Sequence, residues 1–171
     1  MARAWDVPGL TGRARFRDAA GRVIITRWRE MMSYRDGTLL GEDIEELHAM
    51  RVSSRRLRAA MDAFEGAFPR GSFRRYLRQV KEITDTLGDA RDLDVAIDRL
   101  TRLVPEMAPD ERPGIEGLID RYRDERAAEA PVIADLFARL DAADFGARLE
   151  RYVERHTGVS ARRLAPRPPE G

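Results

Sequence analysis

Leu47-His48-Ala49-Met50-Arg51-Val52-Ser53-Ser54-Arg55-Arg56-Leu57-Arg58 carries two chemistries on one helical period. Leu47, Met50 and Leu57 form an apolar stripe that Met61 and Phe64 continue. His48, Arg51, Arg55 and Arg58 share an arc about 80° wide at about 100° per residue. The two stripes lie roughly 110° apart on a helical wheel, so the charged ridge flanks the core and does not point directly away from it. That much like charge on one side of a helix costs repulsion and favours an anionic partner. Arg56 falls further round and reads as an ordinary surface residue.

Outward from this helix the same period dominates, and alternating strand patterns are almost missing. A first helix is expected from about Arg13 to Tyr34, with Phe16, Ala20, Val23, Trp28 and Met31 as its apolar side and Asp36-Gly37 as its stop. The second starts near Glu42, where an acid-rich first turn suits the positive helix end. Pro69-Arg70-Gly71 reads as a turn and Ser72 as the N-cap of a third helix, Phe73 to about Leu87. Gly88 and Asp89 read as a C-cap and the next N-cap. A fourth helix carries Leu93, Ile97, Leu100 and Val104. A fifth runs from about Asp110 to Leu140, with a kink expected at Pro131, and a sixth from about Ala142 to His156. The expected fold is all-α, an antiparallel bundle of about six helices built from long helical hairpins. Residues 1–158 form this one unit, and residues 159–171, rich in Arg and Pro, are expected to be a disordered tail.

A chain of 171 residues with 43% hydrophobic content suffices for one core. No apolar run approaches the roughly 20 residues of a membrane span, and MARAWDVPGL lacks the apolar stretch of a secretory signal. Cysteine is absent, which excludes disulfides and thiolate metal sites. A cytoplasmic location without membrane partner is the expectation. The formal net charge of +1 hides a local split. From Leu47 to Lys81 nine Lys and Arg face two acids, whereas Glu82 to Asp98 holds six acids and one base, Arg91. A basic surface bordered by acidic groups follows.

The third helix repeats the ridge pattern: Arg74, Arg78 and Lys81 run beside its apolar stripe, with Arg75 on the far side. In an antiparallel hairpin the two ridges would converge on one groove. Arg27 sits near the core-facing side of the first helix and could reach that groove or pair with a buried acid. Guanidinium donates two parallel hydrogen bonds to phosphate oxygens and lysine adds a point charge. A row of such groups matches a repeating anion better than a compact one. A charged helix face is ordinarily a solvated one with ion pairs along the helix, but this ridge meets no interleaved acid until Asp62.

The run L-H48-x-x-R51-V-x-x-R55-R56-L-R58, followed by L87-G88-x-x-R91-D92-x-D94-V, resembles the CHAD family, the conserved histidine α-helical domain. The close match covers roughly Glu42 to Leu100. The resemblance implies an all-helical fold whose basic surface binds inorganic polyphosphate; the leading expectation is a non-enzymatic binding module without cofactor. By it His48, Arg51, Arg55 and Arg58 fall on the histidine-arginine motif, Arg78 and Lys81 on basic positions of the next helix, and Arg91 on the second motif. Asp92 and Asp94 are expected to fix the hairpin or pair with arginines. Family members usually contain two related halves around a basic cavity, and this chain has one histidine-arginine helix; His156 has no arginine ridge after it. Either half a cavity suffices or two chains supply the halves, and a two-fold homodimer that juxtaposes the ridges is the expectation.

Three rival readings remain at this level, one of them a scaffold whose charges are merely solvated. A basic groove also attracts nucleic acid, although few aromatics interleave for base stacking and no helix-turn-helix pattern stands out. A metal-assisted phosphohydrolase could use His48 with Asp92 and Asp94, but the spacing is no recognised metal signature and nearby arginines repel a cation.

Overall fold

The computed structural model describes residues 3–166. Among them are six α-helices and no strand: α1 (Phe16–Met32), α2 (Arg35–Leu40), α3 (Ile44–Ala63), α4 (Arg70–Leu103), α5 (Arg112–Ala142) and α6 (Phe145–Thr157). α1 packs on α3 and α6, α3 on α4, and α4 on α5, an antiparallel bundle of hairpins. No described helix is long and apolar enough to cross a membrane.

The core is one cluster. Ile24 and Met31 of α1, Met50, Leu57 and Met61 of α3, Phe73, Val80, Ile83 and Leu87 of α4, Phe137 of α5, and Phe145 and Val153 of α6 are all fully or almost fully buried in it. Each such side chain contributes about 1.5–3 kcal/mol by leaving water, which is why the stripe of α3 is fixed inward and its ridge is fixed in place beside it. On α1 the inward side is set by Ile24 and Ile25, while Val23 is half-buried and Phe16 is exposed, tilted against Phe64 at 5.3 Å between ring centroids. Gly21 lets α1 meet the chain after α6, since a Cβ there would lie 2.8 Å from Val159.

Several boundaries differ from the sequence-based expectation. α1 ends at Met32, and Asp36-Gly37 lies inside the short helix α2, which Gly41 terminates with a left-handed φ of 72°. α3 begins at Ile44, capped by Asp43, whose side chain accepts from Glu45 N at 2.8 Å. Ser72 is not an N-cap, because α4 already begins at Arg70 after Pro69; its hydroxyl instead meets the Tyr152 hydroxyl at 2.9 Å. The largest difference is that the expected third and fourth helices are one continuous helix of 34 residues. Gly88 costs about 1 kcal/mol in a helix interior relative to alanine, but it does not stop a helix whose buried side passes through it in phase. Leu87, Ala90 and Asp94 continue the line begun by Val80 and Ile83. Pro131 lies within α5.

Part of the expected tail is packed. Val159, Ala161 and Leu164 are buried in the core cluster, and Arg29 donates to the carbonyls of Ala161 at 2.9 Å and Leu164 at 2.6 Å. Tertiary capture of these carbonyls substitutes for periodicity. Residues 167–171 of that tail lie outside the described residues. Core contacts of α4 end at Ala90 and those of α5 begin at Ile133, so the tip of this hairpin extends beyond the main core.

Candidate functional site

α3 and α4 are held antiparallel by the core, and the register of their outer faces follows from two cross-helix pairs. Arg51 lies 3.5 Å from Asp92, and Arg58 lies 3.9 Å from Asp85. A forward step from Arg51 to Arg58 on α3 matches the backward step from Asp92 to Asp85 on α4. The same register sets Asp62 level with Lys81 and His48 level with Val95.

Between the two helices lies an open cleft of about 540 Å³. Arg51, Arg55 and Arg58 line its α3 side, as the ridge spacing requires. Its α4 side carries Asp85, Asp89 and Asp92, with Gly88 and Thr84 between them. These acids share an arc about 80° wide with Arg74, Arg78 and Lys81 at about 100° per residue. The α4 stripe is thus basic in its first half and acidic in the middle. Sequence reasoning assigned Asp89 to a cap and passed over Asp85, although their spacing from Lys81 and Asp92 carries the same helical signal. Gly88 leaves room for Arg51, whose Nε would sit 3.7 Å from a Cβ at that position. That Nε is buried without a hydrogen-bond partner.

Several arginines outside the ridge are committed to short pairs with buried or half-buried acids. Arg56 and Arg27 both hold Glu30, which has 0% exposure; the Arg56 contact is 2.9 Å. Arg29 pairs with Glu150 at 2.8 Å and Arg126 with Asp94 at 2.8 Å. These are hydrogen-bonded pairs that tie elements together. Arg56 therefore has a structural partner and is no plain surface residue, and Arg27 satisfies a buried acid, with no place among the residues lining the cleft. The ridge is different. Its two pairs are longer than the roughly 2.7–2.9 Å of a charge-assisted hydrogen bond, and their carboxylates are 75% and 56% exposed. Arg55, Arg78 and Lys81 have no carboxylate within 4.0 Å among the described residues.

His48 is half-buried and continues the ridge line beyond Arg51. Arg74 stands at the opposite end, 3.6 Å from Glu65. Arg91 precedes Asp92 by one residue, so it is turned about 100° from the cleft face, and it does not line the cleft. Asp92 and Asp94 also diverge: the first meets Arg51, the second is buried against Arg126 of α5. They do not converge with His48, and among the described residues no group of three or more His, Cys, Asp or Glu is placed to hold a metal ion. His156 is a packing residue: its Nδ1 donates to the Tyr152 carbonyl at 2.8 Å, and its ring lies 4.3 Å from that of Tyr152.

No curated protein and no solved structure matches the chain. The family model of the CHAD domain matches residues 22–168, which spans all six helices apart from the first turns of α1. The match takes in the ridge, the continuous helix α4 and the packed segment after α6, and the chain belongs to the CHAD domain family.

Proposed function

We propose that this chain binds inorganic polyphosphate, without catalysis, along the α3–α4 groove. The observation that carries the reading is the contrast between the ridge arginines and those paired with buried or half-buried acids. Arg29, Arg56 and Arg126 are committed to short pairs with buried or half-buried acids, while Arg51 and Arg58 meet exposed carboxylates at 3.5 and 3.9 Å and Arg55 has no carboxylate within 4.0 Å among the described residues. An exposed ion pair of this kind is worth about 0–1 kcal/mol, so a ligand rich in negative charge displaces it at little cost. Hydrogen bonds to a charged group are each worth about 1.5–3 kcal/mol, and a linear polyanion meets several along the groove. His48 stands at one end, and Arg78 and Lys81 extend the basic stripe at the other.

Part of the gain is release of counterions condensed on the ligand, so affinity should fall steeply with salt. The test is competition at low salt between long-chain polyphosphate and single-stranded DNA of equal total charge. Preferential retention of polyphosphate supports the reading. Equal competition would make the groove a general nucleic-acid site.

We further infer a homodimer whose two-fold axis brings two ridges together. Leu39 and Leu40 of α2 and Ile44 of α3 leave exposed apolar surface that a second copy would cover. Light scattering should give a dimer at micromolar concentration, and a monomer would overturn this part.

A further inference from the structure

The geometry points to a second anion subsite, at Arg99 and Tyr122 on the α4–α5 hairpin, that continues the groove beyond the histidine-arginine ridge. This rests on the polyphosphate reading above and extends it to residues outside both sequence motifs.

A cleft of about 460 Å³ between α4 and α5 shares Asp92 with the ridge cleft. Its polar residues besides Asp92 are Arg99 and Tyr122, and Leu100 and Leu118 form apolar walls along which an arginine stem can lie. Arg99 falls in the same 80° arc of α4 as Lys81, Asp85 and Asp92, at about 100° per residue. It is exposed and has no carboxylate within 4.0 Å among the described residues, whereas its neighbour Arg102 is taken by Asp98 at 2.9 Å. Asp92 is the wall between the clefts, and Arg51 at 3.5 Å offsets its charge. His48, level with Val95, stands at this junction.

The path cannot continue along α3. By the register Arg99 is level with Ile44, the first residue of that helix, where Asp43, Glu45 and Glu46 present negative charge. A polyanion leaving the ridge is therefore turned toward α5, where the Tyr122 hydroxyl can donate to a phosphate oxygen. From Lys81 to Arg99 the stripe is about 27 Å long at 1.5 Å per residue. Only an extended chain contacts both ends, so the second subsite gives the groove a preference for long chains.

The experiment measures binding of triphosphate and of long-chain polyphosphate to the full chain at low salt, for the unaltered protein, R99Q, R99K and Y122F. For long chains R99Q should weaken binding about three- to tenfold and lower the slope of log affinity against log salt by about 0.7, the share of one phosphate contact on a single strand. R99K should restore most of the loss, and Y122F should cost less than R99Q. Triphosphate, held in the ridge cleft, should bind R99Q and the unaltered chain alike. Far-UV circular dichroism checks that each variant is folded. Long-chain binding unchanged in R99Q, or an equal loss for both ligands, overturns the extension and leaves the ridge reading standing. No polyphosphate binding by the unaltered chain overturns both.

Discussion

Arg51 of α3 and Asp92 of α4 face each other at 3.5 Å across the helix seam, close enough to attract and too distant for a strong hydrogen bond. The core holds the ridge in register, and the pair leaves the guanidinium available. Asp92 and Asp85 then compete with any bound anion. Asp92→Asn combined with Asp85→Asn should raise polyphosphate affinity several-fold at low salt, since two carboxylates no longer repel the ligand and the lost pairs were worth about 0–1 kcal/mol each. Titration calorimetry checks this, and weaker binding in the double variant would show that the acids position the arginines more than they oppose the ligand.

Gly88 should be replaceable. A Cβ there meets only Arg51 Nε, at an ordinary contact distance of 3.7 Å. Gly88→Ala should gain about 0.8–1.0 kcal/mol of helix propensity, a rise of roughly 2–4 °C in Tm for a domain of this size. Calorimetry reads it. A fall in Tm would mean that α4 needs glycine at its midpoint.

Glu30 is buried and pairs with both Arg27 and Arg56. Glu30→Ala removes a buried acid that both guanidinium groups contact and should destabilise by about 3–5 kcal/mol. Denaturant unfolding provides the value. A loss under about 1 kcal/mol would show that water compensates both arginines.

Tyr34 and Tyr152 are both held above the ordinary tyrosine value of about 10, chiefly because burial disfavours the phenolate. Glu30 and Glu46 raise Tyr34 further, against an opposing effect of Arg56. A group with a raised folded value contributes stability that is fully present below the unfolded value and is lost as pH rises through the folded one. Stability should therefore decline above about pH 10, and Tyr34→Phe should flatten part of that decline. Urea unfolding at a series of alkaline pH values tests it; identical slopes in the variant and the unaltered chain would contradict the assignment.

Much of the groove was legible because one helical period carries both of its faces. Leu47, Met50, Leu57 and Met61 turn inward in the structure and bring Arg51, Arg55 and Arg58 to one cleft. The continuity of α4 was obscured by local chemistry: Gly88-Asp89 looks like a helix end, and only the unbroken phase from Val80 to Asp94 reveals that the chain runs through. The roles of Arg27 and Arg56 depend on Glu30, whose burial no local pattern announces. The same holds for Leu164 and Ala161, which are packed because Arg29, far away in sequence, takes their carbonyls. Ridge positions follow from spacing, whereas which arginines stay uncommitted depends on partners brought together by folding.

The central claim meets its most direct test in polyphosphate binding by R51A/R55A, measured beside the unaltered chain over a range of salt, with helicity followed by circular dichroism. The double variant should keep its helix content and lose about a hundredfold in affinity, as expected for two charge-assisted contacts of about 1.5 kcal/mol each. Undiminished binding by a folded R51A/R55A would contradict the account, because the cleft between α3 and α4 would then not be where the anion lies.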